Sequence, residues 1–109
     1  MAQLERRLSG SFSEIRSKIH HGILDGSITA ELNGSHDFTG RNSRCSVRVY
    51  ERYSMFGGNR VSLSVTLYQE GDGPVYLSAV SSGGSQAVFA KVNTFSEEAF
   101  LDKLREIID

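Results

Sequence analysis

The sequence predicts an α+β fold, a curved antiparallel sheet of four to six strands with two helices packed on one face. Three observations predict it: two capping boxes open amphipathic stretches near the two ends, apolar alternation of period two fills the interval, and glycine-rich turns separate successive runs. The order is strand, helix, four strands, helix. A chain of 109 residues buries about 65% of its extended surface, enough for one core. Residues 1–109 are therefore read as a single domain.

A short run from Leu4 to Leu8 could add a strand ahead of the first helix, with Arg6 fitting its inner face badly. Ser11-Phe12-Ser13-Glu14 is the S-x-x-E capping box. Phe12, Ile15, Ile19 and Ile23 follow at steps of three and four, and Asp25-Gly26 offers a left-handed stop, so a helix is expected at 12–24. Thr94-Phe95-Ser96-Glu97 repeats the device before Phe100, Leu101, Leu104, Ile107 and Ile108, which places a second helix from 95 to the end. Between them, Ile28, Ala30 and Leu32 alternate with polar neighbours, as do Cys45, Val47 and Val49, then Val61, Leu63, Val65 and Leu67, then Val75, Leu77 and Ala79. Each run reads as a half-buried strand. Gln86 to Val92 fits a strand or an irregular connection equally.

Gly57-Gly58-Asn59 and Gly71-Asp72-Gly73 carry residues that positive-φ hairpin turns require. Three-residue loops at both sites pair Val49 with Leu67, Tyr50 with Thr66, Leu67 with Leu77 and Tyr68 with Tyr76. A slip of one residue would turn apolar residues to the wrong face. In this register Arg48, Tyr50, Arg52, Tyr68 and Tyr76 share one exposed outer face. Cys45, Val47, Val49, Glu51 and Tyr53 turn inward, with Leu63, Val65, Leu67, Leu77, Ile15, Ile19, Leu101 and Leu104 as core partners. The element order resembles the TATA-box-binding-protein-like and helix-grip folds, a likeness of architecture that says nothing about function.

The stretch Glu51-Arg52-Tyr53-Ser54-Met55-Phe56-Gly57-Gly58-Asn59-Arg60-Val61-Ser62-Leu63, with Ser82-Gly83-Gly84-Ser85-Gln86 and Asn93-Thr94-Phe95-Ser96-Glu97-Glu98-Ala99-Phe100-Leu101, resembles a family of small bacterial proteins of about this length known as a domain of unknown function. The resemblance spans nearly the whole chain. It implies a self-contained bacterial cytosolic domain and brings no catalytic residues.

Composition narrows the functional classes. Net charge is −1, against the strongly basic balance of a general nucleic-acid binder, so no nucleic-acid partner is expected. No apolar run is long enough to span a membrane, and no secretory leader is evident, so the expected compartment is cytoplasmic. One Cys cannot form an internal disulfide. The bases of residues 41–60 are all arginines (Arg41, Arg44, Arg48, Arg52, Arg60), whose planar forks suit carboxylates, phosphates and rings.

His20-His21 invites a metal reading, but adjacent helical residues diverge by about 100°, and no cluster completes a coordination set. No metal or cofactor is predicted. His36-Asp37 falls in an expected loop from Gly34 to Gly40, where such residues make turns. Cys45 reads as a buried hydrophobe. Ser82-Gly83-Gly84-Ser85 could form an anion nest but lacks the lysine and helix of a P-loop. No nucleophile, base and orienter match, so no catalytic residue is assigned. Glu51 is costly if it faces the helices, unless the strand bends to solvent, the carboxylate meets a base, or it lines a cavity with Tyr53 and Ser81.

Two functional readings follow. The first is a non-catalytic interaction module that self-associates as a homodimer through the outer face of Arg48, Tyr50, Arg52, Tyr68 and Tyr76, since Tyr and Arg are enriched at interface cores. The second is a small-molecule binder with a cavity between sheet and C-terminal helix, lined by Glu51, Tyr53 and Ser81.

Overall fold

The computed structural model of the chain describes residues 1–53, 59–83 and 90–109, and of residues 90–95 it describes the backbone alone. The elements are β1 (Ala2–Leu8), α1 (Phe12–Asp25), β2 (Glu31–Thr39), β3 (Ser43–Tyr53), β4 (Arg60–Glu70), β5 (Val75–Gly83) and α2 (Ala90–Ile108). The strands form one open antiparallel sheet in the order β1-β5-β4-β3-β2. The α+β class and the placement of both helices on one face agree with the sequence reading.

α1 begins where the capping box places it, with the Ser11 hydroxyl accepting the Glu14 amide at 3.4 Å. Its end differs from expectation: Gly26 is right-handed, with φ −80°, and its amide donates to the Gly22 carbonyl at 3.0 Å. Gly22 serves another purpose. An added Cβ there would come within 2.6 Å of the Ile107 side chain, so glycine lets the two helices approach closely. α2 starts earlier than predicted, and the second capping box lies inside it. Glu97 does not cap; its carboxylate accepts the amide of Gly83 at the end of β5, at 2.6 Å.

The core lies between the helices and the strands β1, β5 and β4. Phe12, Ile19, Ile23, Phe100, Leu101 and Leu104 pack on Leu4, Val61, Leu63, Val65, Leu67, Val75, Leu77 and Ala79. Ile15 is only partly buried against them. α2 rests on β5, β4 and β1, whereas α1 rests on α2 and meets the sheet at β4. That coverage leaves β2 exposed almost throughout.

The β4–β5 hairpin has the predicted register, with Leu67 opposite Leu77 and Tyr68 opposite Tyr76, and Gly71 takes the positive φ of 57° that its turn needs. The β3–β4 register is different. Tyr50 lies opposite Leu63, Ser46 opposite Leu67 and Cys45 opposite Tyr68. The strands part at Tyr53 and Arg60, so the connection is residues 54–59, most of which lie outside the described residues. The shift from the predicted pairing is an odd number of residues, so every β3 side chain changes face. Cys45, Val47 and Val49 therefore point outward, and Ser46, Arg48, Tyr50 and Arg52 point toward the helices.

β2 also departs from expectation. The alternation Ile28, Ala30, Leu32 does not form the strand, and Ile28 is fully exposed. The strand instead covers the expected loop, with an irregularity between Leu32 and Gly34. An edge strand wet on both faces has no burial pattern to display in its sequence. The ambiguous segment is helical from Ala90, while residues 86–89, and Gly84-Ser85 of the supposed nest, lie outside the described residues.

Candidate functional site

The register of β3 puts polar side chains where a sheet under helices normally carries aliphatic ones. Its inward residues are Arg44, Ser46, Arg48, Tyr50 and Arg52, flanked on β2 by Thr39, Asp37, Ser35 and Leu32. Above them runs the polar side of α1. Ser13, Arg16, Ser17 and His20 stand at i, i+3, i+4 and i+7, one helical face beside the apolar stripe that enters the core. A cleft of about 340 Å³ opens between these surfaces, lined by Ser13, Arg16, Ser17, His20, Leu32, Ser35 and Arg48. It shares Ser13 and Arg16 with a second cleft of about 390 Å³ toward Arg44, Gln69 and Asp72. The two form one groove along α1.

Asp37 organises the groove. Both its oxygens accept from Arg48, Oδ1 from Nη1 and Oδ2 from Nη2, each at 3.1 Å. Arg16 Nη1 donates to the same Oδ1 at 3.3 Å. The Arg48 hydrogen bonds hold the Asp37 carboxyl below the ordinary carboxylate range, with the Arg48 and Arg16 charges adding to the effect. Arg48 is the more enclosed partner, its side chain 15% exposed against 35% for Arg16. The guanidinium of Arg16 also lies 5.6 Å from the centroid of the Phe12 ring. Such a planar, forked pairing fixes orientation as well as charge.

Behind the groove lining the buried Tyr50 hydroxyl meets His20 Nδ1 at 3.0 Å. Burial pushes the Tyr50 phenol up to about 12. It also lowers the His20 pKa, helped by the charges of His21 and Arg48. Both groups are neutral at pH 7. The hydrogen bond gives the buried phenol its polar partner. The contact holds the His20 ring in place beside the Tyr50 hydroxyl.

The sequence-predicted outer cluster is divided between the two faces. Tyr50 is fully buried, and Arg48 and Arg52 point inward, the latter with its guanidinium 4.4 Å from the Phe100 ring centroid. Only Tyr68 and Tyr76 stand on the outer face, 40% and 46% exposed. β3 departs from the expected register because its connection to β4 spans residues 54–59 instead of the three residues 57–59. The alternative cavity is not assembled either. Ser81 is inward and completely buried beside Leu63, whereas Glu51 and Tyr53 face outward. Glu51 meets a base, accepting from Arg60 Nε at 2.5 Å, and Arg60 also pairs with Glu31 and covers the Tyr53 ring at 5.0 Å. The Arg60 hydrogen bond holds the Glu51 carboxyl below its ordinary range. Cys45 is half-exposed on the outer face, and Val47 is not part of the core.

The outer face carries a row that no sequence argument assembled: Arg7, Tyr76, Tyr68, Cys45 and Phe38, side by side across all five strands. Phe38 was hidden from sequence reasoning by its place in an expected loop. Arg16 and His20 of the groove were missed because a polar helix stripe reads as a solvated face until a strand is seen opposite it, and Asp37 because its segment reads as a loop. Among the described residues no group of three or more His, Cys, Asp or Glu is placed to hold a metal ion, and no helix is long and apolar enough to cross a membrane.

No curated protein and no solved structure matches the chain. A protein family matches it from end to end, over residues 1–109. The chain belongs to the family of unknown function DUF6054.

Proposed function

We propose that the protein is a non-catalytic interaction module that pairs with a second copy of itself through the outer face of the sheet. The observation that carries this reading is the aromatic row on a face no helix covers, with Phe38 61%, Tyr68 40% and Tyr76 46% exposed. Large exposed rings set among small Ser and Thr side chains are what interface cores use.

The middle rows of the face are self-complementary. A two-fold axis along β4, the central strand, lays β5 over the partner's β3 and β1 over its β2. In that arrangement Tyr68 meets its own copy, Val80 meets Val49, Arg7 meets Phe38 and Glu5 meets His36. No like charges oppose one another in these rows. Five strands about 4.8 Å apart and roughly seven residues long give a patch of about 24 by 24 Å, at the lower limit for a specific interface. The pairing is therefore expected in the micromolar range.

Sedimentation velocity tests it. The wild-type chain should sediment as a dimer at tens of micromolar, and the double variant Tyr68→Glu, Tyr76→Glu should be monomeric with an unchanged far-ultraviolet circular dichroism spectrum. A wild-type monomer at high micromolar concentration, or a double variant that remains dimeric, refutes the reading.

A further inference from the structure

We propose that the groove between α1 and the inner side of β2 and β3 binds a small molecule through a phosphate group, held chiefly by Arg16 together with the hydroxyls of Ser13, Ser17 and Ser35. Ser13, Arg16, Ser17 and Ser35 line the cleft that contains no residue of the aromatic row, so this site does not require self-association.

The concavity comes from the fold itself. α1 leans on α2 and β4, and the space it leaves over β3 and β2 extends through two joined clefts of about 340 and 390 Å³. Their combined size accommodates a phosphate and a modest organic body.

The charge is unbalanced toward a cation. Across the two clefts Arg16, Arg44 and Arg48 stand against two carboxylates, Asp37 and Asp72, which leaves one net positive charge. The donors are unequally used. Arg48 spends Nη1 and Nη2 on Asp37, with Nη1 also reaching the His36 and Val47 carbonyls. Among the described residues Arg16 spends one Nη1 hydrogen bond, on Asp37, so its Nε and Nη2 edge keeps the paired donors that grip an oxyanion. Asp37 on one side and the Phe12 ring on the other hold that guanidinium in place.

The remaining lining is rich in donors. Ser13, Ser17, Ser35 and the His20 imidazole line the same cleft as Arg16, and Leu32 supplies an apolar wall. A carboxylate offers two oxygens, while a phosphate offers three or more on a tetrahedron, which matches donors converging from a helix on one side and a strand on the other. The site therefore favours phosphate over carboxylate, with the organic part lying against Leu32.

An amide-detected NMR titration of the full chain with inorganic phosphate at constant ionic strength tests the site. Saturable shifts should concentrate on Ser13 to His20 and on Ser35 and Asp37, with acetate binding at least tenfold more weakly and phenyl phosphate more tightly. Arg16→Gln, on the outside of a helix, should keep the fold and weaken phosphate at least tenfold, and Ser17→Ala should weaken it severalfold. Neither variant should alter sedimentation. Non-saturating or scattered shifts, equal affinity for acetate, or wild-type binding by Arg16→Gln each overturn the proposal.

Discussion

Two neighbouring strands of this sheet present their inner faces to the same pair of helices in opposite chemical terms. β4 turns Val61, Leu63, Val65 and Leu67 inward, each at most 2% exposed. β3 turns Arg44, Ser46, Arg48, Tyr50 and Arg52 inward. On β4 burial is bulk transfer of apolar surface from water. On β3 four of the five polar groups are matched individually, Arg44 with Gln69 at 3.1 Å, Arg48 with Asp37, Tyr50 with His20 and Arg52 with the Phe100 ring, while the buried Ser46 hydroxyl has no hydrogen-bond partner among the described residues. The contrast teaches that a shared face need not be a shared environment. The aliphatic half closes into a core, and the polar half keeps a groove open beneath α1.

The largest effect that could break this contrast is a cavity. Leu67→Ala should cost about 2–5 kcal/mol, while Val47→Ala, on the outer face, should stay within about 1 kcal/mol. Urea denaturation of the two variants measures both, and equal costs would mean that β3 also buries its valines. Next in size is Tyr50→Phe, which keeps the ring and removes the hydroxyl from His20 Nδ1. It should cost about 0.5–1.5 kcal/mol in the same measurement, and no loss would mean that the hydroxyl contact is absent.

These variants mark what was legible in the sequence. β4 and β5 were readable because four consecutive inward aliphatics and a glycine turn agree on a single register. α1 was readable through Ser11 and its apolar stripe. β3 was misread because Cys45, Val47 and Val49 alternate convincingly with Arg44, Ser46 and Arg48, and alternation shows that a strand has two faces without showing which is buried. Its parity depended on the length of one loop. The groove was illegible for a related reason: Asp37 was assigned to a turn, so nothing connected the arginines of α1 and β3.

Smaller effects sharpen the polar half. Because His20 titrates below its ordinary 6.5 in the folded chain, the unfolded chain takes up the proton first as pH falls. The contribution is complete above 6.5 and is lost below it. Thermal melts from neutral to mildly acidic pH should therefore show a decline that His20→Gln reduces. NMR titration of the imidazole should give a midpoint below 6.5, and a midpoint above it would contradict the Tyr50 contact and burial. Asp37 acts in the same direction at lower pH, its contribution being lost as pH falls through its depressed folded value. Because its side chain is 47% exposed, Asp37→Asn should change neutral-pH stability by under about 1 kcal/mol, while loosening Arg16 and Arg48. Loss of the fold in this variant would show that the groove belongs to the core.

The register of β3 against β4 is the point on which the polar groove and the aromatic outer row both depend. Cross-strand nuclear Overhauser contacts between backbone protons of the labelled protein read it without reference to side-chain packing. Contacts should join Tyr50 to Leu63, Ser46 to Leu67 and Cys45 to Tyr68. Contacts joining Tyr50 to Thr66 and Val49 to Leu67 would contradict this register, returning Arg48 and Tyr50 to the outer face and removing the groove.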